Sequence, residues 1–177
     1  MDPSAFLQTE RLYLRPWRES DFEALRPIFT DPRVVRYTDG SPWTDDKLRG
    51  LVRWGMEHRS GTVPGFFNCP LIYREGDVVI GRAGINPLWY GPGNADQNEP
   101  ETEWTLAAET WGKGLATEIG KAMIVYGFET AGFDHLIALA HPENAASLRV
   151  MQKIGMRYWK TEAFRGEEAV FYRLERS

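Results

Sequence analysis

Trp111-Gly112-Lys113-Gly114-Leu115-Ala116-Thr117 is the stretch whose reading decides the fold. Before it runs Glu101-Thr102-Glu103-Trp104-Thr105-Leu106, which alternates as a strand does. Glu101, Glu103 and Thr105 fall on one face, Thr102, Trp104 and Leu106 on the other. After it, Leu115, Ile119, Ala122, Met123 and Tyr126 recur at helical spacing. They predict a long helix to about Ala131, with Gly132 as its stop. A strand that turns into a helix through glycines exposes a row of unpaired backbone N–H groups. Those groups and the helix dipole make an anion site, typically for phosphate. Glycine lets a ligand approach the backbone closely, and Lys113 adds a positive charge at the rim. The competing reading is a tight turn with no ligand.

Two common phosphate loops do not fit. A Walker A loop needs glycine at 107 and Ser or Thr at 114, where the chain has Ala107 and Gly114. The dinucleotide fingerprint needs a third glycine, and position 117 is Thr. It also follows the first strand of a parallel sheet, whereas antiparallel strands precede this turn.

Outward toward the N-terminus, Arg11 to Trp17 alternates as a first strand. Ser20 or Asp21 caps a helix carrying Phe22, Leu25, Ile28 and Phe29. A second helix is predicted from Asp45 to about His58, with Leu48, Leu51, Val52 and Met56 inward. Phe66–Tyr73 and Val78–Ile85 read as an antiparallel hairpin around Glu75-Gly76-Asp77. Tyr90 to Pro100 is rich in turn formers, aperiodic and long enough to be a functional loop. Outward toward the C-terminus, Ile137–Ala140 is a short strand and Asn144 opens a helix ending near Gly155. Tyr158–Ala163 and Ala169–Arg173 close the chain across Gly166. No repeat or low-complexity linker appears.

Composition narrows the function classes. The 177 residues are expected to form a single domain over 1–177. Hydrophobic residues are 42% and charged residues 26%, an ordinary globular balance. The net charge of -4, without a basic block, argues against nucleic acid as a partner. One cysteine and three scattered histidines offer no metal-ligand spacing, so no metal is expected. Cys69, in an apolar stretch, reads as a buried inert thiol. The N-terminus lacks the pattern of a signal peptide. No apolar run approaches the ~20 residues of a membrane span. A cytoplasmic protein with no membrane partner is expected.

Three stretches together carry a family resemblance. They are Leu7-Gln8-Thr9-Glu10-Arg11-Leu12-Tyr13-Leu14-Arg15, Trp111 to Glu118, and His141-Pro142-Glu143-Asn144-Ala145-Ala146-Ser147-Leu148-Arg149-Val150-Met151-Gln152-Lys153-Ile154-Gly155-Met156. In order and spacing the chain resembles the GCN5-related N-acetyltransferases (GNAT). Within them it looks like the branch containing the ribosomal-protein-alanine N-acetyltransferases. The resemblance implies an α+β (mixed α/β) GNAT-like fold. Its central, mostly antiparallel twisted sheet would have six to seven strands and about four flanking helices. The strands would splay at the acetyl-CoA site.

The resemblance also assigns roles. Acetyl-CoA would be the acyl-donor cosubstrate, its pyrophosphate held by Trp111, Gly112, Lys113, Gly114, Leu115, Ala116 and Thr117. Gly114 and Ala116 match the second half of the family pattern, whereas Trp111 stands where Gln or Arg is usual. Trp104 and Leu106 would border the pantetheine arm, with the Leu106 N–H aimed at the thioester oxygen. Asn144 and Ser147 match the family's Asn-x-x-Ser segment at the cofactor arm. Many members carry a thiolate-protonating tyrosine seven residues after the asparagine. Here that position is Met151, so Ser147 is the candidate acid.

A neutral amine is needed for attack, and lysine-like amines have pKa values near ~10.4. Glu101 and Glu103, on one strand face, are the candidate bases. Glu101 aligns with an acidic residue common in the branch. The run Asp96, Glu99, Glu101, Glu103 favours a cationic acceptor, either a small-molecule amine or a protein N-terminus. Trp89 and Tyr90 flank the loop and join Glu101 as candidate substrate contacts. The alternative is an acyl-CoA-binding sensor without transferase activity. Monomer and homodimer both remain open.

Overall fold

The computed structural model describes residues 4–57, 65–88 and 99–176. In chain order it runs β1 (Leu7–Gln8), β2 (Leu12–Leu14), α1 (Asp21–Phe29), α2 (Pro32–Val35) and α3 (Asp45–Glu57). Next come β3 (Phe67–Tyr73), β4 (Val78–Pro87), β5 (Pro100–Leu106), a 3₁₀ turn (Ala108–Thr110) and α4 (Leu115–Val125). After a wide turn (Tyr126–Thr130) follow β6 (His135–Ala140), α5 (Ala145–Lys153), β7 (Arg157–Phe164) and β8 (Glu167–Glu175).

The strands form one sheet in the order β1-β2-β3-β4-β5-β6-β8-β7. All neighbours are antiparallel except β5 and β6, which α4 connects as a parallel pair. The described residues thus hold eight strands and five α-helices, against the six to seven and about four expected. β1 has two residues, too few to show alternation, and α2 has four, too few to show helical spacing. α4 is also shorter than expected. Its continuation widens at Tyr126–Thr130, where the Ala131 N–H bonds the Tyr126 carbonyl five residues back at 2.9 Å.

Among the described residues the sheet divides two main cores, with a smaller third cluster of Leu88, Ile137, Ala169 and Phe171. On one face Leu14, Cys69, Leu71, Ala83, Ile85, Leu106 and Leu136 meet Leu115, Ile119 and Met123 of α4. Each such buried aliphatic side chain contributes about 1.5–3 kcal/mol. On the other face Trp17 packs with Phe22, Leu25, Ile28 and Phe29 of α1 and with Leu48 and Val52 of α3. Met56, expected inward, is 43% exposed, because α3 buries Leu48, Val52 and Gly55 instead. Both cores meet at β4 and β5, where the site lies. Among the described residues no helix is long and apolar enough to cross a membrane.

Candidate active site

β5 is bound to its two neighbours unequally. Seven register pairs join it to β4, but a single pair, Glu101 with Ile137, joins it to β6. The Thr102 hydroxyl reinforces that point by donating to the Ile137 carbonyl at 3.1 Å. Beyond it the strands diverge and a gap opens. The Ala107 N–H donates to the Ile80 carbonyl on β4 at 2.8 Å. By strand alternation the N–H and C=O of Leu106 and of Trp104 therefore face the gap.

The gap leads into a cleft of about 780 Å³. Its walls come from the end of β5, the turn into α4 and the length of α5 from Ala145 to Lys153. Gly112 and Gly114 have φ values of 74° and 78°, the left-handed region that favours glycine. A Cβ at Gly112 would meet nothing within 4 Å, and one at Gly114 only Arg11 Nη2 at 3.7 Å. The backbone here is therefore bare toward the cleft, directly before the unpaired N–H groups of α4. That cradle, open and electropositive, fits a pyrophosphate. Trp111, Gly112, Gly114, Leu115, Ala116 and Thr117 all line the cleft, whereas Lys113 is exposed and does not.

The turn is braced from both sides. The Trp111 indole N–H donates to the Leu106 carbonyl at 2.9 Å, tying the turn to the strand end. On the outside, Arg11 bonds the Lys113 carbonyl at 3.0 Å and the Glu118 carboxylate at 2.7 Å. Burial alone would raise the Glu118 pKa, but hydrogen bonds from Thr9 and Arg11 overcome it and lower the value. Asn144 caps α5, its side chain accepting from the Ser147 N–H at 3.2 Å. Asn144 and Ser147 both line the cleft. Met151, one turn beyond Ser147, is 1% exposed and belongs to the apolar core.

The opposite face of β5 carries the acids. Glu103 accepts from Arg82 Nη1 at 2.6 Å and Nη2 at 3.3 Å, and from the Asn68 amide. Glu99 pairs with His135, with Arg173 at 3.9 Å. Glu101, between them, has no hydrogen-bond partner among the described residues. Burial, and secondarily the neighbouring Glu103 charge, raise its pKa to about 8, against the opposing pull of Arg165 and Arg82. The acidic run is thus largely neutralised internally, and Glu101 is its one half-buried acid left unbonded among Glu99, Glu101 and Glu103. Trp89, Tyr90 and Asp96 lie outside the described residues.

Sequence reasoning missed one wall of the cleft. The segment from Pro32 to Thr38 lines it from the α1 side. Arg33 reaches Glu109 at 2.5 Å on one bank, and Tyr37 stacks on His141 at 5.4 Å on the other. The available signal was Asp31-Pro32, a cap followed by proline at the first helical position. Arg82 had no comparable signal, since it reads as one more polar residue on an alternating strand. Among the described residues no group of three or more His, Cys, Asp or Glu is placed to hold a metal ion.

Comparison with known proteins places this arrangement in a family. The acetyltransferase (GNAT) domain family matches residues 11–157, and the chain belongs to it. That makes it, by class of enzyme, an N-acetyltransferase. It is 30% identical over 156 residues to the uncharacterized N-acetyltransferase p20 of Bacillus licheniformis, covering 85% of this chain and 82% of that one. A solved GNAT-family acetyltransferase from Bacillus anthracis superposes with a TM-score of 0.80 at 26% identity, covering 96% and 98% of the two chains. The fold is also that of AAC(6′)-Ib, solved with paromomycin and acetyl-CoA, with a TM-score of 0.75 at 21% identity and 94% coverage of both chains.

Proposed function

We propose that this enzyme transfers an acetyl group directly from acetyl-CoA to a primary amine, both bound at once. The observation that supports this most is the course of β5. It leaves β6 just after Glu101 and leads to the bare glycine turn, so the carboxyl read here as the base and the turn read as the anion cradle lie toward opposite ends of one gap. Acetyl-CoA supplies the acetyl group on a thioester. Glu101, ionised, accepts the proton of the incoming ammonium and leaves a neutral amine. The Leu106 N–H, facing the gap, stabilises negative charge developing on the carbonyl oxygen. Ser147, a hydroxyl of α5 that lines the cleft, passes to the departing sulfur the proton that the nitrogen loses as the amide forms, and so ends neutral. Glu103, held by Arg82 and Asn68, is better suited to tuning Glu101 than to proton transfer.

The acceptor is a small-molecule amine or a protein N-terminus, and Glu101 serves either. Burial of Met151 in the core, where many relatives carry an acid, is the observation that favours a second reading, an acyl-CoA sensor.

Calorimetric titration with acetyl-CoA, with desulfo-CoA and ATP as comparisons, tests the first step. Saturable acetyl-CoA binding is expected. Its absence from folded protein removes the cosubstrate assignment. Mass spectrometry of products from a panel of amines and peptides then separates transferase from sensor, since any acetylated product excludes the latter.

A further inference from the structure

We propose that Arg149 and Lys153 form a second anion subsite, one that recognises the 3′-phosphate of coenzyme A and so distinguishes it from the 3′-hydroxyl form. The proposal rests on the acetyl-CoA reading of the cleft and deepens it. α5 presents Ala146, Arg149 and Lys153 to the cleft at spacings of three and four, so one stripe of the helix faces it. The stripe changes character along its length. The cap Asn144 and Ser147 in the first turn are uncharged, and the later lining residues Arg149 and Lys153 are basic.

Two cations one turn apart repel and weaken a helix. α5 contains no acidic residue to offset them. Among the described residues neither Arg149 nor Lys153 forms an ion pair or hydrogen bond with a carboxylate. The other cations of the cleft wall are matched, Arg33 by Asp31 and Glu109 and Arg36 by Glu143. The helix dipole accounts for a cation in the last turn of α5. It does not account for a second one a turn earlier on the same wall.

Position selects the ligand chemistry. Ile154, the residue after Lys153, packs over Gly120 in the second turn of α4. The basic end of α5 therefore lies beside the start of α4, where the glycine turn cradles a pyrophosphate. Coenzyme A carries two separate anionic groups at that end, the pyrophosphate and a phosphomonoester on the ribose. A phosphomonoester bears about -1.5 to -2 charges at neutral pH. The guanidinium fork of Arg149 and the point charge of Lys153 are complementary to it.

The test is calorimetric affinity for coenzyme A and for 3′-dephospho-coenzyme A. The unaltered protein is expected to prefer the former by about tenfold or more, the size of a charge-assisted contact. Rising KCl should narrow that preference. The double substitution Arg149→Ala, Lys153→Ala should bring the two affinities together while leaving that for the dephospho form within about twofold. Arg149→Gln with Lys153→Gln, and a thermal melt of each protein, separate loss of charge from loss of fold. Equal affinities in the unaltered protein overturn the proposal, as does a double variant that weakens both ligands alike. If folded, unaltered protein binds neither ligand, the acetyl-CoA reading fails and the subsite with it. Binding of both, without preference, removes only the subsite.

Discussion

The two ends of the β5–β6 gap are built from different materials. At the α4 end the site is backbone: two glycines in the left-handed region, the N–H groups of a helix start and a strand edge without a partner. At the Glu101 end it is side chain: one carboxyl set among Glu103, Arg82 and Arg165. A backbone site is held by the fold and tolerates change in the side chains around it. A side-chain site depends on a few charges and changes with any one of them. This difference makes the two ends respond differently to mutation.

The largest effect is expected at Glu101. Glu101→Gln should lower kcat/KM by about a hundredfold or more, the ordinary worth of a general base. Acetyl-CoA affinity, read by calorimetry, should be unchanged. In the unaltered enzyme the rate should rise with pH and level off above about 8, as Glu101 ionises. Stability should run the other way. The folded carboxyl titrates near 8 against its ordinary 4.5, so between those values the folded chain holds a proton that the unfolded chain has lost. This contribution is full below about 4.5 and is lost as pH rises through 8. Melts of the E101Q protein across that window should lack the decline. Equal activity of the two proteins would move the base elsewhere.

At the other end, Gly114→Val should weaken acetyl-CoA binding by about thirtyfold. A β-branched residue in the left-handed region is strained by about 1–3 kcal/mol, and its side chain enters the open space before the cradle. Here kcat with saturating donor should change far less than affinity. A variant that loses kcat and keeps affinity would erase the contrast between the two ends.

Arg82→Met sharpens the side-chain half of the comparison. It strips Glu103 of its paired bonds at 2.6 and 3.3 Å within a largely buried cluster. A loss of about 2 kcal/mol in stability is expected. Because Arg82 also holds the Glu101 pKa down, its removal should push the rate profile to higher pH. The structural loss alone would lower the melting temperature without moving the profile.

The same contrast governs what could be read from the sequence. Gly112, Gly114 and the apolar spacing of Leu115, Ile119 and Met123 declare a strand, a turn and a helix, and those alone determine the cradle. Asn144 likewise declares a cap, and α5 begins after it. The alternation of β5 placed Glu101 and Glu103 on one face, yet it could not separate their surroundings. That separation depends on Arg82 and Asn68, which reach Glu103 from two other strands, and on Arg165 in a distant hairpin. α2 was hidden by its length, and the splitting of β5 from β6, a failure to pair, was expected from the family resemblance alone and not from the residues of either strand.

Trp111 is where the two kinds of site meet, and it carries the smallest predicted effect. It stands where the family pattern has Gln or Arg, and its side chain reaches back to the end of β5. The indole N–H bonds the Leu106 carbonyl at 2.9 Å, and the ring, 48% exposed, lines the cleft. Trp111→Phe keeps an aromatic ring and removes that one bond, whose net worth is about 0.5–1.5 kcal/mol. If the bond serves to hold the end of β5 against the turn, its loss lets both the cradle and the Leu106 N–H drift. KM for acetyl-CoA should then rise and kcat fall together, each by about two- to fivefold. A rise in KM alone would make Trp111 a wall of the cleft and nothing more. Joint loss would make it the side chain through which the backbone end of the gap is kept in register with the chemistry at the other.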